Sequence, residues 1–301
     1  MRQEFRRTLL EFSACPEFVF LTGDLGFMAL EPLREAMEQR FINAGVAEQN
    51  MVGVAAGLAK SGLRPWAYSI APFLYARPFE QIRNDVCLHN LPVVLVGNGG
   101  GYGYGVMGTT HHALEDYGTL LTLPNMRAYI PAFDSDLRCM IQHLMTVKHP
   151  AYLRLGVSEQ PSWLVPDPYA AWRRILPGEG PTVAFVGPLV GSALDAIRVS
   201  GVNADCWLVS ELPIHRPPPE FLSSVRDSGY LLVVEEHVSV GSFGQMLACE
   251  LLAAGVCPTR FVHRAALGYV TGLYGSQGFH RKECGLDSAS IVSELNQAAH
   301  S

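Results

Sequence analysis

The chain has 301 residues, of which 49% are hydrophobic and 17% are charged, and its formal net charge is −6. This composition excludes a disordered chain and predicts a compact protein long enough for two domains of ordinary size. No run of Lys or Arg stands out, so the sequence shows no electrostatic signature of nucleic-acid binding. The apolar runs are short and interrupted, which argues against a membrane span.

The N-terminal segment and the cysteines both favour a cytoplasmic protein. The first twelve residues, MRQEFRRTLLEF, contain basic residues without a sustained apolar core. They predict an amphipathic first helix and not a signal peptide. The cysteines, 7 in number, are scattered and form no CxxC pair. This pattern favours reduced thiols over a disulfide framework or a zinc site.

Short β-rich runs alternate with helical patterns in the first half of the chain. The predicted strands cover residues 18–24, 64–70, 92–98, 128–130 and 150–156. The predicted helices between them cover residues 47–61, 77–89, 113–122 and 134–147. This alternation predicts a parallel sheet covered by helices. In such sheets, ligands usually bind at the loops that follow the carboxyl ends of the strands.

A second alternating unit follows a change in composition. Residues 158–180 are rich in Pro and lack a clear period, so they predict a linker between a domain at 1–157 and a smaller domain at 181–301. The second unit has predicted strands at 182–188, 204–210 and 230–236 and a predicted helix near 243–254. The predicted fold class is therefore α/β, with two domains built on mainly parallel, helix-covered sheets.

Glu48 is an acid at the front of an apolar helical segment. It lies in FINAGVAEQN, residues 41–50, and is followed by MVGVAAGLAK. An ionised carboxylate buried without a partner is costly. One interpretation is an acid in the first turn of a helix, where the helix dipole favours it. The other is a buried acid that shares a proton with a ligand nitrogen. Position alone leaves both open.

A glycine-rich segment, GNGGGYGYGVMG at residues 97–108, follows a predicted strand. Without side-chain bulk it can admit a ligand close to the backbone. It matches neither GxGxxG before a helix nor GxxxxGK[ST], so it gives little support to a phosphate loop. His111 and His112 end this region, and taken singly such a pair is more often structural than catalytic. Phe73, just past another strand, is either a core aromatic or a face for stacking a planar ring.

In combination and in this order, these segments resemble the thiamine-diphosphate enzymes of the transketolase family. The resemblance to the pyrimidine-binding domain covers about residues 1–157 and rests on GVAEQNMVGVAAGLA, FLYARPFEQIRND and MGTTHHALEDYGTLLTLPNMRAYIPAFDSD. YLLVVEEHVSVGSFGQMLACEL is similar to the opening of the family's C-terminal domain. The resemblance therefore covers nearly the whole chain.

The resemblance implies roles for individual residues. Glu48 would hydrogen-bond N1′ of the cofactor's aminopyrimidine, and the proton shared there would activate the thiazolium carbon. Phe73 would stack on the pyrimidine, and Asp24 and Arg77 would also bind cofactor. His111 would reach a substrate oxygen, with His112 and Asn98 as further substrate contacts.

One expected feature of the family is missing. Members bind the diphosphate through a separate domain marked by GDG and a later asparagine, which hold the metal. Here the only related string is TGDLG at residues 22–26. The resemblance therefore implies a split enzyme in which this chain is the C-terminal half. A separate N-terminal subunit would bind Mg²⁺ and the diphosphate, in an α2β2 assembly.

The residues at the positions that contact substrate in the family also depart from the family pattern. The acidic residue expected four positions before His111 is Met107, and the phosphate-binding arginine falls near Val157. Arg154 is close but resembles a different, structural position. The resemblance thus leaves open an unphosphorylated sugar, a nucleotide-linked sugar or a 2-oxo acid as substrate.

Three functions remain in competition. The first is ketol transfer to a sugar-type aldehyde by a half-enzyme. The second is the β subunit of a 2-oxo acid dehydrogenase or a decarboxylating carboligase, which shares the glutamate and the fold. The third is a non-catalytic partner that regulates an N-terminal subunit. GTTHHALED and TLPNMRAYIPAFDSD favour the first, and the joint presence of Glu48, Phe73 and His111 argues against the third.

Overall fold

A computed structural model describes residues 1–26 and 29–299 of the chain. Its strands, in chain order, are β1 Phe18–Thr22, β2 Phe41–Asn43, β3 Arg64–Ile70, β4 Val94–Asn98, β5 Arg127–Tyr129, β6 Ala151–Leu155, β7 Trp172–Leu176, β8 Thr182–Val186, β9 Asp205–Val209, β10 Glu211–Leu212, β11 Tyr230–Glu235 and β12 Arg260–Arg264. Its α-helices are α1 Arg2–Glu11, α2 Glu31–Met37, α3 Glu48–Lys60, α4 Ala71–Tyr75, α5 Phe79–Gln81, α6 Asp116–Leu120, α7 Asp136–Leu144, α8 Val190–Ser200, α9 Pro219–Ser228, α10 Phe243–Ala253, α11 Gln277–Glu283 and α12 Ser288–Ala299.

These strands form two sheets. The first is 7-stranded, in the order β10-β5-β6-β4-β3-β1-β2, and the second is 5-stranded, in the order β12-β11-β8-β9-β7. Pairing is parallel except at one edge of each sheet, where β10 runs antiparallel to β5 and β7 antiparallel to β9. The predicted α/β class with two mainly parallel sheets is confirmed.

The central strands are apolar because helices cover both faces of each sheet. All five residues of β1, FVFLT, are buried, and so are all five of β8, TVAFV. The carboxyl ends of β1, β3 and β4 meet at one edge of the first sheet, since these strands are parallel neighbours. This edge carries most of the residues singled out by the sequence.

Several elements differ from the sequence-based expectation. The predicted helix at 77–89 is only the short α5 followed by a π-helical segment, Ile82–Cys87. Pro78 stands at the N-cap, and a proline disfavours the helical conformation of the residue before it, so the helix begins at Phe79. The predicted helix at 113–122 shrinks to α6, because Ala113 instead exchanges two hydrogen bonds with Gly101.

The predicted linker, 158–180, is not wholly irregular. It contains β7, which joins the edge of the second sheet, so the Pro-rich composition hid a short strand. The domain limits of 1–157 and 181–301 stay a prediction. The two units pack closely: Tyr102 and Phe133 share one apolar cluster with Val183 and Leu232. In addition, β10 of the second unit completes the first sheet.

Two further features of the structure concern the cysteines and the lengths of the helices. All seven cysteines carry free thiols. Within residues 1–26 and 29–299, the helices are too short or too polar to span a bilayer.

Candidate active site

Glu48 is the first residue of α3, and the packing of that helix fixes its place. Met51, Val52 and Ala55 are fully buried on one face of α3, which holds the helix against the sheet. The Glu48 side chain is 4% exposed. Free backbone N–H groups and the positive end of the helix dipole favour a carboxylate there. Glu48 is therefore both a helix-start acid and a buried acid, and the two interpretations of the sequence are compatible.

Arg77 pairs with this carboxylate. Its Nη1 lies 2.8 Å from Glu48 Oε1, and the arginine side chain is 44% exposed. Its guanidinium carbon lies 3.9 Å from the centroid of the Phe73 ring, a stacking distance. The structure thus joins Glu48, Phe73 and Arg77 into one group. The predicted cofactor residues Phe73 and Arg77 both belong to it, although the sequence did not predict their contact.

A small polar gap lies beneath Glu48. Ser69, in β3, is fully buried, and its Oγ has no hydrogen-bond partner among the described residues. A Cβ placed on Gly23 would lie 3.6 Å from Ser69 Oγ and 3.9 Å from Glu48 Cγ. A side chain at position 23 would therefore fill the space beside the glutamate. An unpaired buried hydroxyl in that space is suited to a polar ligand atom.

Asp24 lies next to this gap but makes different contacts. Its φ is +59°, and Asn43 holds it through two hydrogen bonds. Asp24 N donates to Asn43 Oδ1 at 3.0 Å, and Asn43 Nδ2 donates to Asp24 Oδ1 at 2.9 Å. The exposed Asp24 carboxylate lines a separate cavity with Thr22 and Arg34. Asp24 is thus near the Glu48 group but is held by Asn43.

His111 joins the same group from the glycine-rich side. Its ring meets the Phe73 ring edge-on, with centroids 5.2 Å apart, and lies 5.8 Å from the Tyr104 ring. Thr110 Oγ1 lies 2.9 Å from His111 Nδ1. Nε2 of His111 has no hydrogen-bond partner within the described parts of the chain, so it can meet a ligand. Asn98 Nδ2 donates to the Tyr104 hydroxyl at 2.7 Å, which connects Asn98 to this group through Tyr104.

His112 has a different environment. Its Nε2 lies 2.7 Å from the Gly105 carbonyl oxygen, and its Nδ1 lies 2.8 Å from the Tyr269 hydroxyl. The side chain is 3% exposed, and burial lowers its pKa below the ordinary value of 6.5. Both ring nitrogens are engaged in the protein. We therefore leave His112 out of the proposed substrate site.

Met107 and Val157, the two positions that depart from the family pattern, differ in exposure from the nearby Arg154. Met107 and Val157 are each 54% exposed. Arg154, in contrast, is 5% exposed, and its Nε lies 2.7 Å from Asp116 Oδ2. Its Nη2 also donates to the carbonyl oxygens of Ala113 and Glu236, each at 3.0 Å. Arg154 is thus a buried structural arginine and does not face a ligand.

Sequence reasoning did not single out Ser69, Tyr104 or Glu236. Ser69 and Tyr104 both lie at or just past the carboxyl ends of parallel strands, so the general rule for ligand sites in such sheets could have indicated them. Glu236 lies in YLLVVEEHVSVG, whose similarity to the family's C-terminal domain implies no role for this residue. No cluster of three or more His, Cys, Asp or Glu residues suited to a metal occurs among the described residues.

The fold and this site define a two-domain α/β protein in which an arginine connects a buried glutamate to an aromatic ring at the carboxyl edge of a parallel sheet. Residues 6–161 match the family described as "Transketolase, pyrimidine binding domain", and the chain belongs to that family. Membership implies the use of thiamine diphosphate.

Relatives and solved structures agree with this assignment. The chain is 31% identical to one of the subunits of apulose-4-phosphate transketolase from Actinobacillus succinogenes, over 87% of this chain and 86% of the relative. It is 35% identical to 1-deoxy-D-xylulose-5-phosphate synthase 2 of Geobacter sulfurreducens, over 85% of this chain but 42% of that protein. A solved structure described as "Split gene transketolase, inactive beta4 tetramer" superposes with a TM-score of 0.83 at 28% identity, covering 99% of this chain and 97% of that chain.

The share of each relative that is covered identifies which part of a transketolase-like enzyme the chain corresponds to. The chain corresponds in length and fold to the C-terminal subunit of split transketolase-like enzymes. Transketolase from Leishmania mexicana shares the fold with a TM-score of 0.75 at 18% identity, and the chain covers 45% of it. The resemblance noted in the sequence is confirmed.

Proposed function

We propose that this chain is the pyrimidine-binding subunit of a two-subunit thiamine-diphosphate enzyme that transfers a two-carbon ketol group to a sugar-type aldehyde. A separate N-terminal subunit with a GDG and asparagine motif supplies the Mg²⁺ and diphosphate site. The observation that carries this proposal is the buried Glu48 carboxylate and the partly exposed Phe73 ring, which Arg77 connects. The cytoplasm, where thiols stay reduced, is the proposed location.

The residues present fit the aminopyrimidine end of the cofactor. Glu48 offers a carboxylate shielded from water, where a hydrogen bond to a ring nitrogen is stronger than in bulk solvent. Phe73 offers an aromatic face, and the unpaired Ser69 hydroxyl offers one more polar contact. Asp24 lies at the next strand end, and we propose that it contacts the cofactor across the gap beside Gly23. Arg77 now occupies the space between Glu48 and Phe73, so we propose that it moves aside or shares the carboxylate when cofactor binds.

When bound, thiamine diphosphate supplies a nucleophilic carbon and an electron sink for breaking a carbon–carbon bond next to a carbonyl. Glu48 holds the proton at the pyrimidine nitrogen. His111 presents its unpaired Nε2 to a substrate oxygen and can donate or accept a proton there. Asn98, through Tyr104, orients the face on which the substrate lies.

A reconstitution experiment tests whether the enzyme is divided between this chain and an N-terminal subunit. The purified chain is titrated with thiamine diphosphate and Mg²⁺ by calorimetry, alone and with the N-terminal subunit. We expect weak binding and no turnover by the chain alone, because Mg²⁺ neutralises the diphosphate and the described residues offer no metal cluster. Two copies of each subunit in a symmetric assembly are expected in the active complex. Micromolar binding and carboligation by this chain alone would refute the proposal.

We expect xylulose 5-phosphate to be a poor donor. Met107 and Val157 occupy the positions at which the family pattern has contacts to donor hydroxyls and to phosphate, and neither side chain can hydrogen-bond a hydroxyl or pair with a phosphate. Efficient transfer would show that other residues, such as those of the partner, supply these contacts.

The similarity to a 1-deoxy-D-xylulose-5-phosphate synthase favours a second candidate, a decarboxylating carboligase that uses a 2-oxo acid donor. The two functions differ in one easily measured product, CO₂. Carboxyl-labelled pyruvate, which has no hydroxyl with which to supply a ketol group, is incubated with the complex and an aldehyde sugar, and labelled CO₂ is expected only in the second case.

A further inference from the structure

Three consecutive residues, the last residue of β11 and the two that follow it, contact the first domain. The candidate active site includes none of them. Glu235 accepts a short hydrogen bond from the Tyr117 hydroxyl. His237 Nε2 accepts from Gly118 N at 3.1 Å. Between them, Glu236 Oε1 accepts from Tyr102 N at 2.6 Å. Only this middle contact reaches the glycine-rich region that leads to His111.

The Glu236 carboxylate is held firmly within its own domain. Arg281 Nε lies 2.6 Å from its Oε2, and Gln277 Nε2 lies 2.9 Å and 3.2 Å from the two oxygens. Glu236 is 5% exposed and Arg281 is 8% exposed. Charge-assisted hydrogen bonds in a buried place are strong and directional. The carboxylate is therefore a fixed acceptor aimed at the Tyr102 amide.

The backbone of the first domain is shaped to receive this carboxylate. Gly101 has a φ of +65°, and a Cβ there would lie 2.4 Å from Glu236 Oε1. Only glycine allows both this conformation and this close approach. The Tyr102 ring is buried and stacks on His280 at 4.8 Å, so the second domain holds both the backbone and the side chain at this position.

The His111 loop, which we define as residues 101–113, closes at this point. Gly101 and Ala113 exchange two hydrogen bonds of 2.9 Å, which join the two ends of the loop. Arg154 Nη2 donates both to Ala113 O and to Glu236 O. Within the loop, Gly105 N donates to Tyr102 O at 2.8 Å, and His111 N donates to Gly108 O at 3.0 Å. A continuous set of hydrogen bonds thus runs from the loop base to the turn before His111.

We propose that Glu236 is a positioning residue that fixes the His111 loop and so sets the place of His111 against Phe73. The C-terminal domain then contributes to the active site without contacting substrate or cofactor. The inference rests on the proposed function only for the role of His111. The attachment of the loop to Glu236 is a property of this chain alone.

Hydrogen exchange of the full chain, followed by mass spectrometry, tests the attachment. Glu236→Gln keeps the side-chain shape but replaces a charged acceptor next to Arg281 with an amide. We expect the loop peptides of this variant to exchange at least about tenfold faster than those of wild type, while α3 peptides stay unchanged. Glu294→Gln is the matched control, since Glu294 is also buried and paired with Arg260 and Arg264 but lies on α12. Its loop peptides should exchange as in wild type.

A second variant covers the case in which Glu236→Gln does not fold. Gln277→Ala removes two hydrogen bonds from the carboxylate and leaves its charge paired, so a smaller acceleration confined to the loop is expected. Wild-type loop protection in a folded Glu236→Gln, or in Gln277→Ala if Glu236→Gln does not fold, would overturn the proposal.

Kinetics of the reconstituted complex separate this proposal from the proposed function. Glu236→Gln should lower kcat about tenfold with the cofactor dissociation constant unchanged, because only His111 is displaced. A loosened loop with wild-type kcat would overturn the positioning role. A wild-type complex without transfer activity would refute the proposed function, while the exchange result would still decide whether Glu236 holds the loop.

Discussion

At the scale of single residues, the site depends on how one buried acid is partnered. Glu48 is almost fully buried, yet its charge is balanced by Arg77 and by the start of α3. A buried carboxylate with a partly exposed arginine partner can exchange that partner for a ligand without leaving a bare charge. This arrangement explains how the chain tolerates the acid before a cofactor is present.

Glu48→Gln should fold but lose catalysis. Glutamine keeps the size and most hydrogen bonding of the side chain, whereas it cannot share a proton with a pyrimidine nitrogen. We expect kcat/KM of the reconstituted complex to fall by about 100-fold or more, on the order of 2.7 kcal/mol in activation free energy. Glu80→Gln, the same change on an exposed carboxylate of α5, should leave activity at the wild-type level. Activity of the Glu48 variant within about tenfold of wild type would disprove its assigned role.

His111→Ala should impair turnover more than cofactor binding. The ring offers its Nε2 to a substrate oxygen, while its contact with Phe73 is only an edge contact at 5.2 Å. We expect kcat to fall by about 10- to 100-fold, with the cofactor dissociation constant within about threefold of wild type. The exposed His89 provides the control variant, His89→Ala. A collapse of cofactor affinity with intact turnover at saturation would assign His111 to the cofactor.

At the scale of elements, the packing of α3 fixes the position of Glu48, the first residue of the helix. Its small residues let the helix lie close to the sheet, and the buried face fixes the rotation of the helix about its axis. The first residue is thereby set at the edge where β1 and β3 end. The His111 loop complements this helix from the other side, held by its own closure at Gly101 and Ala113.

Met51→Ala tests the packing of α3. Met51 is fully buried, so its truncation should lower the free energy of unfolding by about 2–4 kcal/mol, measured by urea denaturation. Val54 lies on the same helix but is 38% exposed, and Val54→Ala should change the free energy of unfolding by less than about 0.5 kcal/mol. Equal effects of the two changes would mean that α3 is not held by this face.

At the scale of the whole molecule, a buried polar network joins the two domains. Tyr117 donates to Glu235, which also pairs with His263 at 2.7 Å, and His237 stacks on Tyr117 with centroids 3.8 Å apart. Although burial opposes it, hydrogen bonds from His263 and Tyr117 lower the pKa of Glu235 below its ordinary value. Burial lowers the pKa of His237 below 6.5. Stability of the interface is therefore linked to pH.

The expected direction follows from these lowered pKa values. Below pH 6.5 the unfolded chain protonates His237 more readily than the folded chain does, so stability is full above this pH and falls as pH decreases. Glu235 adds to the loss of stability once the pH falls below 4.5, the ordinary pKa of a glutamate. We therefore expect the Tm to stay level above about pH 6.5 and to decrease as the pH falls from there to about pH 5.

His237→Gln should reduce this decrease. Glutamine can accept from Gly118 N and donate to Val238 O as His237 does, but it does not titrate. Thermal unfolding across the same pH range is the measurement, and His89→Gln is the control that should keep the wild-type slope. An unchanged slope in the His237 variant would show that other groups carry the pH dependence.

The sequence by itself determined much of the local structure. α3 was expected at 47–61 and spans Glu48–Lys60, and β3 was expected at 64–70 and spans Arg64–Ile70. These elements are set by periodicity and apolar content within a few residues, which a single sequence displays. The family resemblance, carried by GVAEQN for Glu48 and by FLYARPFEQIRND for Phe73, also predicts that the two residues belong to one site.

Only the tertiary structure decided which distant residues meet. Arg77 and Glu48 are 29 positions apart, and Tyr102 and Glu236 are 134 positions apart. No local period encodes such contacts, since they depend on how strands cross over and how two domains pack. The same holds for β7 and His112: the short strand is stabilised by pairing with β9, and the histidine is engaged by Tyr269 from the other domain. Long-range packing, which the local pattern does not specify, determined these contacts.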